Sequence, residues 1–316
     1  MNAGVPLGLS SGLCWGAADF FGGIQSRRLP ALTVAFWSQL AGALALAIAL
    51  AIEGVRPAAT GIAWGLAAGV GSGCALVLFY RSLAEGTMSM VAPISACGAI
   101  VPVAAALLTG NQPGVLAALG VLATIAGVIL VSRPHTPARF APPAVEGDQA
   151  SPASSARGGR RVVAMALGSA LGFGLFYVFV DAGVASTAGT AATTGAVAAA
   201  GTAGSHGSPL WVIAGARMSS LAILSMIALV SRRSALRWPG RRIGAVALVG
   251  IGDTGANLLF AYAATTGNLA VVGVLGSLYP VATVVLARWL LRERLSGGQN
   301  VGVVLALTGV VLLAAA

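Results

Sequence analysis

The stretch GVGSGCALVLFYRSLAEG (residues 69–86) recurs, with changes, as GIGDTGANLLFAYAATTG (residues 250–267). Identical positions include Gly71 with Gly252, Ala75 with Ala256, Leu78 with Leu259, Phe79 with Phe260 and Gly86 with Gly267. Further along, LGVLATIAGVIL matches VGVVLALTGVVL, which aligns Gly120 with Gly302 and Gly127 with Gly309. This recurrence indicates a chain built from two copies of one unit.

The composition is that of an integral membrane protein. Hydrophobic residues make up 57% of the 316 residues and charged residues only 8%, against roughly 25% charged in a soluble domain. The mean hydropathy is +0.91. The apolar runs are about 20 residues long, which predicts an all-α protein of membrane-spanning helices and not a barrel of short alternating strands. The lipid bilayer is therefore an expected partner.

We predict ten transmembrane helices. They cover about residues 5–24, 32–52, 61–80, 87–108, 114–132, 162–183, 209–230, 243–263, 268–290 and 298–316. The composition of residues 133–161 predicts a disordered linker, which separates a first five-helix repeat (1–132) from a second (162–316). Residues 185–209 contain no Leu, Ile or Phe, so we predict a low-complexity loop there, with an eleventh helix as the alternative.

Five helices cross the membrane an odd number of times, so the second repeat must be inverted relative to the first. Inverted repeats are typical of transporters, in which the substrate binds near the midplane between the halves. Loop arginines gather after the odd-numbered spans, and only Arg56 follows an even-numbered one. By the positive-inside rule, this predicts a multi-pass protein of the plasma (inner) membrane with both termini outside.

The glycine-rich third span, the proline-bearing fourth span (Pro93, Pro102) and the closing sequence LARWLLRERLSGGQNVGVVLALTGVVLL (286–313) resemble the drug/metabolite transporter superfamily, in its ten-helix EamA branch. The resemblance implies a secondary carrier of amino acids, sugars, nucleotide precursors or drugs, and many such carriers are exporters. It also implies an acidic residue after the fourth span of each half. Glu293 stands there in the second half, where we expect pairing with Arg292 or Arg294, whereas the first half has Asn111.

Three ionisable residues lie deep in predicted spans, namely Asp19, Arg217 and Asp253. Each costs roughly 2.5–3.5 kcal/mol to insert, so function is the first hypothesis for them. The alternative is a buried ion-pair cluster that only holds helices together. Two carboxylates and one guanidinium leave an unbalanced charge, however, and one carboxylate is expected to take up a proton in a medium of low dielectric constant.

Aromatic and polar residues accompany these three. Trp15 precedes Asp19 by one turn and Phe20 and Phe21 follow it, which predicts an aromatic wall beside the carboxylate. The other expected lining residues are neutral and polar: Asn257, one turn after Asp253, and the repeat counterparts of Asp19, Arg217 and Asp253, which are Tyr177, Gln39 and Ser72. We predict that all of them line one central substrate- and proton-binding chamber.

The resulting hypothesis is a secondary transporter that exchanges protons for a small-molecule substrate, most simply an exporter of amino acids, related metabolites or drugs. Asp19 or Asp253 would accept the proton, and Arg217 would serve as counter-ion or anion clamp. An importer of a small solute, such as a sugar, and a membrane channel are the alternatives. The sequence predicts neither enzyme, metal site, cofactor nor nucleic-acid partner, because its two histidines lie in low-complexity segments and its loop arginines follow topology. A monomer or a homodimer would suffice.

Overall fold

The computed structural model describes residues 4–54, 57–108, 114–131, 152–193, 209–231, 237–266, 275–276 and 278–315. Within these ranges the chain forms helices and turns and no strand, which confirms the predicted all-α class. The α-helices are α1 (Gly4–Ser26), α2 (Ala31–Glu53), α3 (Ala59–Glu85), α4 (Met88–Ala96), α5 (Ile100–Leu108), α6 (Val115–Val131), α7 (Pro152–Thr193), α8 (Pro209–Val230), α9 (Ile243–Thr266), α10 (Tyr279–Leu290) and α11 (Gly297–Ala314).

The helices have the length and surface of membrane spans. Six described segments, with α4 and α5 counted as one, are long and apolar enough to cross a bilayer, and the shorter α6, α10 and α11 are apolar as well. Large apolar side chains are exposed along them, among them Leu44, Ile48, Leu122, Leu171 and Leu248. Such a surface would promote aggregation in water, whereas in lipid it meets a solvent as apolar as itself.

Close helix contacts occur in pairs that the sequence repeat relates. Gly309 of α11 packs against Gly120 of α6, where a Cβ on Gly309 would lie 2.7 Å from the Gly120 carbonyl oxygen. A Cβ on Gly302 would likewise lie 2.9 Å from the carbonyl oxygen of Gly127. The repeat aligns Gly120 with Gly302 and Gly127 with Gly309, so these are two copies of one contact.

The first helix of each repeat also packs against the other repeat, again in two related contacts. Gly16 of α1 packs against the Tyr279 carbonyl at the start of α10, and Gly174 of α7 packs against the Gly98 carbonyl between α4 and α5. Each repeat therefore inserts its first helix against the fourth span of the other repeat. The two halves are interlocked and share one interior.

The helix ends confirm that the repeats are inverted. Arg27, just after α1, forms an ion pair of 3.3 Å with Glu293, which follows α10. At the other side, Glu53 at the end of α2 accepts a hydrogen bond from Tyr262 near the end of α9. Spans one and nine thus end on one face and spans two and eight on the opposite face, as alternating passage requires. The prediction for Glu293 was wrong in its partner, since Arg27 comes to it from the other repeat.

The prolines interrupt the fourth and ninth spans. Pro93 lies inside α4, which gives way to a 3-10 turn at Cys97–Ala99, and Pro102 lies in the first turn of α5. Pro280 lies in the first turn of α10. Proline is tolerated in a first turn because the N–H it lacks would have no helical partner there. The fourth span is therefore a broken helix. Residues 267–274 of the predicted ninth span lie outside the described residues.

Helix α7 is longer than predicted at both ends. It runs from Pro152 to Thr193, so residues 152–161 of the predicted disordered linker and residues 185–193 of the predicted loop are helical. Alanine and arginine favour helix and proline suits the first helical position, which lets both segments extend the apolar helix between them. Residues 133–151 and 194–208 lie outside the described part of the chain, and the repeat bounds remain a prediction.

Helices α3 and α8 approach closely through a stripe of small residues. The stripe on α3 has the four-residue spacing of a membrane packing motif and consists of Gly65, Gly69 and Gly73. A Cβ on Gly69 would collide with the Ala216 carbonyl oxygen of α8. In the other repeat, a Cβ on Gly250 of α9 would collide with the Ser38 carbonyl oxygen of α2. Both collisions involve backbone atoms, which cannot rotate away.

Gly250→Ala is therefore expected to destabilise the protein by about 2 kcal/mol or more, because the added methyl group forces α9 and α2 apart. The matched control is Gly255→Ala in the same helix, where a Cβ would meet nothing within 4 Å and the alanine favours helix by up to about 1 kcal/mol. Thermal unfolding in detergent micelles measures both. Equal unfolding temperatures for the two variants would contradict this packing.

Candidate functional site

A buried arginine joins three helices in the middle of the molecule. The side chain of Arg217, on α8, is only 9% exposed. Its guanidinium donates from Nη1 to Gln39 Oε1 on α2 and from Nη2 to Asp253 Oδ2 on α9. The same Nη2 lies 3.4 Å from Thr254 Oγ1. A buried charge requires both a counter-ion and hydrogen-bond partners, and Arg217 has both.

Glycine on α2 makes room for this cluster. A Cβ on Gly42 would lie 2.6 Å from Thr254 Oγ1 and 3.5 Å from Arg217 Cζ. Thr254 in turn donates to the Gly42 carbonyl oxygen at 3.1 Å. A larger residue at position 42 would displace either the guanidinium or the threonine, so the glycine sets the distance at which α2 and α9 enclose the ion pair.

Asp19 reaches the same region from α1. Its charge interacts with that of Asp253, so the two carboxylates share one part of the interior. Asp19 is half-buried, and within the described residues it forms no hydrogen bond or ion pair. Asp253 stays 35% exposed although it is paired with Arg217. The site therefore holds one paired and one unpaired carboxylate, and its net charge is negative when both are ionised.

Aromatic rings lie beside the unpaired carboxylate. The ring centroid of Trp15, one turn before Asp19, lies 5.7 Å from that of Phe260 and 6.5 Å from that of Tyr279. Tyr177 of α7 and Tyr279 of α10 both lie within range of the Asp19 charge. Helices of both repeats thus contribute to an aromatic surface next to Asp19.

The structure brings most of the predicted site residues together, but two of them form hydrogen bonds to the backbone of their own helices. Gln39, Arg217 and Asp253 are in direct contact. The Ser72 hydroxyl, however, donates to the Gly69 carbonyl oxygen of its own helix at 3.4 Å, and Asn257 Nδ2 donates to the backbone oxygen of Asp253 at 2.7 Å. Their side chains are occupied within α3 and α9, respectively.

Of the three aromatic residues predicted to form a wall beside Asp19, only Trp15 lies on the same face of α1. Phe20 is fully buried in the core, and Phe21 is 45% exposed. Neighbouring residues on a helix point about 100° apart, so neither phenylalanine can share the direction of Asp19. Trp15, four residues earlier, lies on the same face.

Four residues of the site escaped sequence reasoning: Thr254, Phe260, Tyr279 and Tyr80. Tyr80 is buried and interacts electrostatically with Asp19, Asp253 and Arg217. A usable signal existed for the tyrosines, because the chain has only four of them and three interact with Asp19. Tyrosine in an apolar helix requires a place for its hydroxyl group.

We call the interior region around Asp19, Arg217 and Asp253 the chamber, and its chemistry is that of binding. It offers a free carboxylate, a neutralised arginine, hydroxyl groups and aromatic faces. Among the residues that the structure describes, no group of three or more His, Cys, Asp or Glu could hold a metal ion. The chamber suits an organic solute or a proton, and its walls come from both inverted repeats.

An interlocked pair of inverted repeats around an internal charged site defines a polytopic membrane transporter. The EamA-like transporter family model matches residues 2–133 and 160–315. The chain therefore belongs to the EamA-like transporter family, a family of membrane transporters of small solutes. One solved crystal structure of a protein is similar over 98% of this chain and 95% of its own, with a TM-score of 0.59 and 15% identity, which supports the fold alone. No curated protein sequence matches the chain.

Arg217→Gln is expected to lower stability by about 2–3 kcal/mol, because it leaves Asp253 in the membrane interior without its counter-ion; partial exposure of Asp253 limits the loss. Adding Asp253→Asn removes the uncompensated charge and should recover part of that stability. Thermal unfolding of the two single variants and the double variant yields the coupling energy. Losses that simply add would show that the pair does not act as a unit.

Proposed function

We propose that this protein is a proton-coupled secondary exporter of small metabolites, such as amino acids and related compounds, or of drugs, in the plasma (inner) membrane. The observation that carries the proposal is the pairing pattern of the two carboxylates. Asp253 is engaged by Arg217, whereas Asp19 has no such partner among the described residues. The two groups therefore have different tasks.

Asp19 is the group that exchanges the proton. An unpaired carboxylate inside a membrane protein is most stable when it is neutral, and taking up a proton balances the charges of the site. Among the described residues, the titratable groups whose charges interact with that of Asp19 are Asp253 on α9, Tyr80 on α3, Tyr177 on α7 and Tyr279 on α10. None of these is a cation, so none of them can replace the proton.

The Arg217–Asp253 pair holds the chamber in shape. Its members and Gln39 lie on α8, α9 and α2, so it ties both repeats together at mid-depth. Because the pair is neutral as a unit, it does not need to change protonation during transport. This narrows the sequence-based hypothesis, in which either carboxylate could have accepted the proton.

Exchange at Asp19 couples the solute to the proton gradient. The coupling requires that the site changes its exposure from one side of the membrane to the other only when Asp19 binds either a proton or a solute molecule. Each proton that moves inward then drives one solute molecule outward. Alternating exposure is expected to use the broken fourth span, where Pro93 inside α4 removes a backbone hydrogen bond, and the start of α10. Export follows from a gradient directed into the cell.

The test begins with a thermal-shift screen of purified protein against metabolites and drugs at a mildly acidic and a mildly alkaline pH. Compounds that stabilise the protein are then added to proteoliposomes that contain a pH-sensitive dye. We expect these compounds to drive proton movement with the wild type and not with Asp19→Asn, while Asp19→Glu, which keeps a carboxylate, retains it.

Phe21→Leu serves as the control, since Phe21 is exposed next to Asp19 in sequence but outside the chamber. It should transport as the wild type does. Proton movement that persists in Asp19→Asn, or transport whose pH dependence is the same in that variant as in the wild type, would refute the coupling role.

A further inference from the structure

The existing contacts of the Arg217 guanidinium limit which ligands the chamber can bind. Arg217 is the residue that the sequence offered as a clamp for an anionic group, yet its guanidinium already contacts Gln39, Asp253 and Thr254. Its side chain has little remaining surface, with 9% exposed. An anionic ligand would have to displace Asp253 or remain unpaired, and it would lie near two carboxylates.

The unpaired carboxylate of Asp19 favours a cationic ligand. Asp19 is half-buried and lies one helical turn from Trp15, whose ring contacts that of Tyr279. A carboxylate with aromatic rings nearby is a suitable environment for an organic ammonium group, since ring faces attract cations and the carboxylate accepts charge-assisted hydrogen bonds. The same rings give an apolar body a surface to pack on.

We propose that the transported solute is a protonated organic amine with an apolar or aromatic body, whose ammonium group binds Asp19 and whose body contacts Trp15, Phe260 and Tyr279. This inference rests on the proposed function and narrows it to one class of substrate. Amine and proton compete for the same carboxylate. Carboxylic acids without an amine are excluded by the unbalanced negative charge.

The test uses pairs of compounds that share a ring system and differ in charge. Tryptamine is compared with indole-3-propionate, and phenethylamine with 3-phenylpropionate, by calorimetric titration of the purified protein. We expect each amine to bind more tightly than its acid, and more weakly as the pH falls toward the range in which Asp19 is protonated. Asp19→Asn should weaken amine binding by at least about tenfold, the loss of a charge-assisted hydrogen bond.

Trp15→Leu should weaken amine binding as well, and Trp289→Leu should not, because Trp289 is 77% exposed on α10. Failure of both amines to bind better than their acids overturns the substrate class. If an acid binds instead, and its binding depends on pH in the wild type but not in Asp19→Asn, the proton-coupled function stands while this inference fails. If pH dependence survives in Asp19→Asn, the proposed function itself fails.

A second inference comes from Glu293, whose carboxylate, unlike that of Asp19, is fully hydrogen-bonded. It lies at the face of the protein where the loop arginines after the odd-numbered spans gather, which we call the arginine-rich face. Glu293 is 9% exposed. Its Oε1 accepts from the Met88 N–H at 3.0 Å and its Oε2 from the Ser89 N–H at 2.8 Å, both in the first turn of α4. The preceding Arg292 has φ 54, a left-handed conformation that a non-glycine residue keeps only when its surroundings impose it.

Arg27 completes the arrangement. It pairs with Glu293 and also donates from Nε to the Leu83 carbonyl at 3.4 Å and from Nη2 to the Gly86 carbonyl at 3.2 Å. The cation thus meets the carbonyl end of α3 and the anion meets the N–H end of α4, which is the favourable polarity for both helices. Arg27 and Glu293 follow α1 and α10, which pack backbone to backbone at Gly16.

We infer that the Arg27–Glu293 pair is a latch that closes the arginine-rich face of the transporter by docking the α1–α10 unit into the α3–α4 corner. These bonds exist only while the two units touch, so they must break whenever that face opens. Glu85, also at this face, forms partly exposed bridges with Arg81 and Arg161. Such bridges contribute little and do not serve this purpose.

The latch is tested by the reactivity of Ser89→Cys in a background without Cys14, Cys74 and Cys97, with a water-soluble maleimide and protein in detergent micelles. Ser89 is fully buried, so labelling reports opening. Adding Glu293→Gln should accelerate labelling roughly tenfold or more, since it weakens charge-assisted bonds. The control Glu85→Gln should change the rate by less than about twofold.

Hydrogen exchange on the protein with its native cysteines gives a second readout, in which Glu293→Gln should speed exchange of the Met88 and Ser89 amides and leave those of Gly309 and Val310 unchanged. Equal labelling and equal exchange in Glu293→Gln and Glu85→Gln would overturn the latch. Faster exchange throughout the chain would overturn it as well, because it would show a general loss of stability.

Discussion

The structure depends on how a guanidinium is kept in the interior of a membrane protein. Hydrocarbon offers no partners to the N–H groups of Arg217, so the protein must supply a counter-ion and hydrogen-bond acceptors from its own helices. Gln39 comes from the first repeat, and Asp253 and Thr254 come from the second. The polar centre can form only where the repeats meet, and the collisions that a side chain on Gly42 or Gly250 would cause show how closely the backbones must approach for that contact.

The scaffold is nearly symmetric, but its charges are not. Contacts such as Gly120 with Gly309 and Gly127 with Gly302 recur about the axis that relates the repeats. The charged residues do not recur: Asp19 corresponds to Tyr177, Asp253 to Ser72, and Arg217 approximately to Gln39. Symmetric packing gives two related ways of closing the interior, at one face or at the other. In the proposed mechanism, the asymmetric charge leaves a single unpaired carboxylate, Asp19, for which the solute and the proton compete.

The helical spans and their repeat could be predicted from the sequence, because their patterns extend along whole helices. The contacts of single side chains could not, because they depend on the direction in which each side chain points. The recurring segments and the odd number of spans in each repeat predicted the inverted architecture. The sequence placed Arg217 and Gln39 in one chamber, and the structure brings the two side chains into contact. Phe20 and Phe21 were misplaced because adjacency in sequence is not adjacency on a helix. Glu293 was assigned to arginines next to it, whereas its partner Arg27 lies more than 250 positions earlier and only the folded chain brings them together. Composition also hid the length of α7, since alanine- and glycine-rich segments predict a loop whenever insertion into lipid is the criterion.

The proposed proton site and the proposed latch are mechanically connected because α1 carries both Asp19 and, just after its last residue, Arg27. Asp19 and the residues leading to Arg27 belong to one unbroken helix, with about two turns between the carboxylate and the guanidinium. Packing of Gly16 against the start of α10 leaves no space for α1 to slide independently of that helix. When the arginine-rich face opens, α1 and α10 therefore leave the α3–α4 corner together, and Asp19, Trp15 and Tyr279 move with them relative to Tyr80 on α3. A change in the occupant of Asp19 and a change in access at that face are two consequences of the displacement of the same pair of helices.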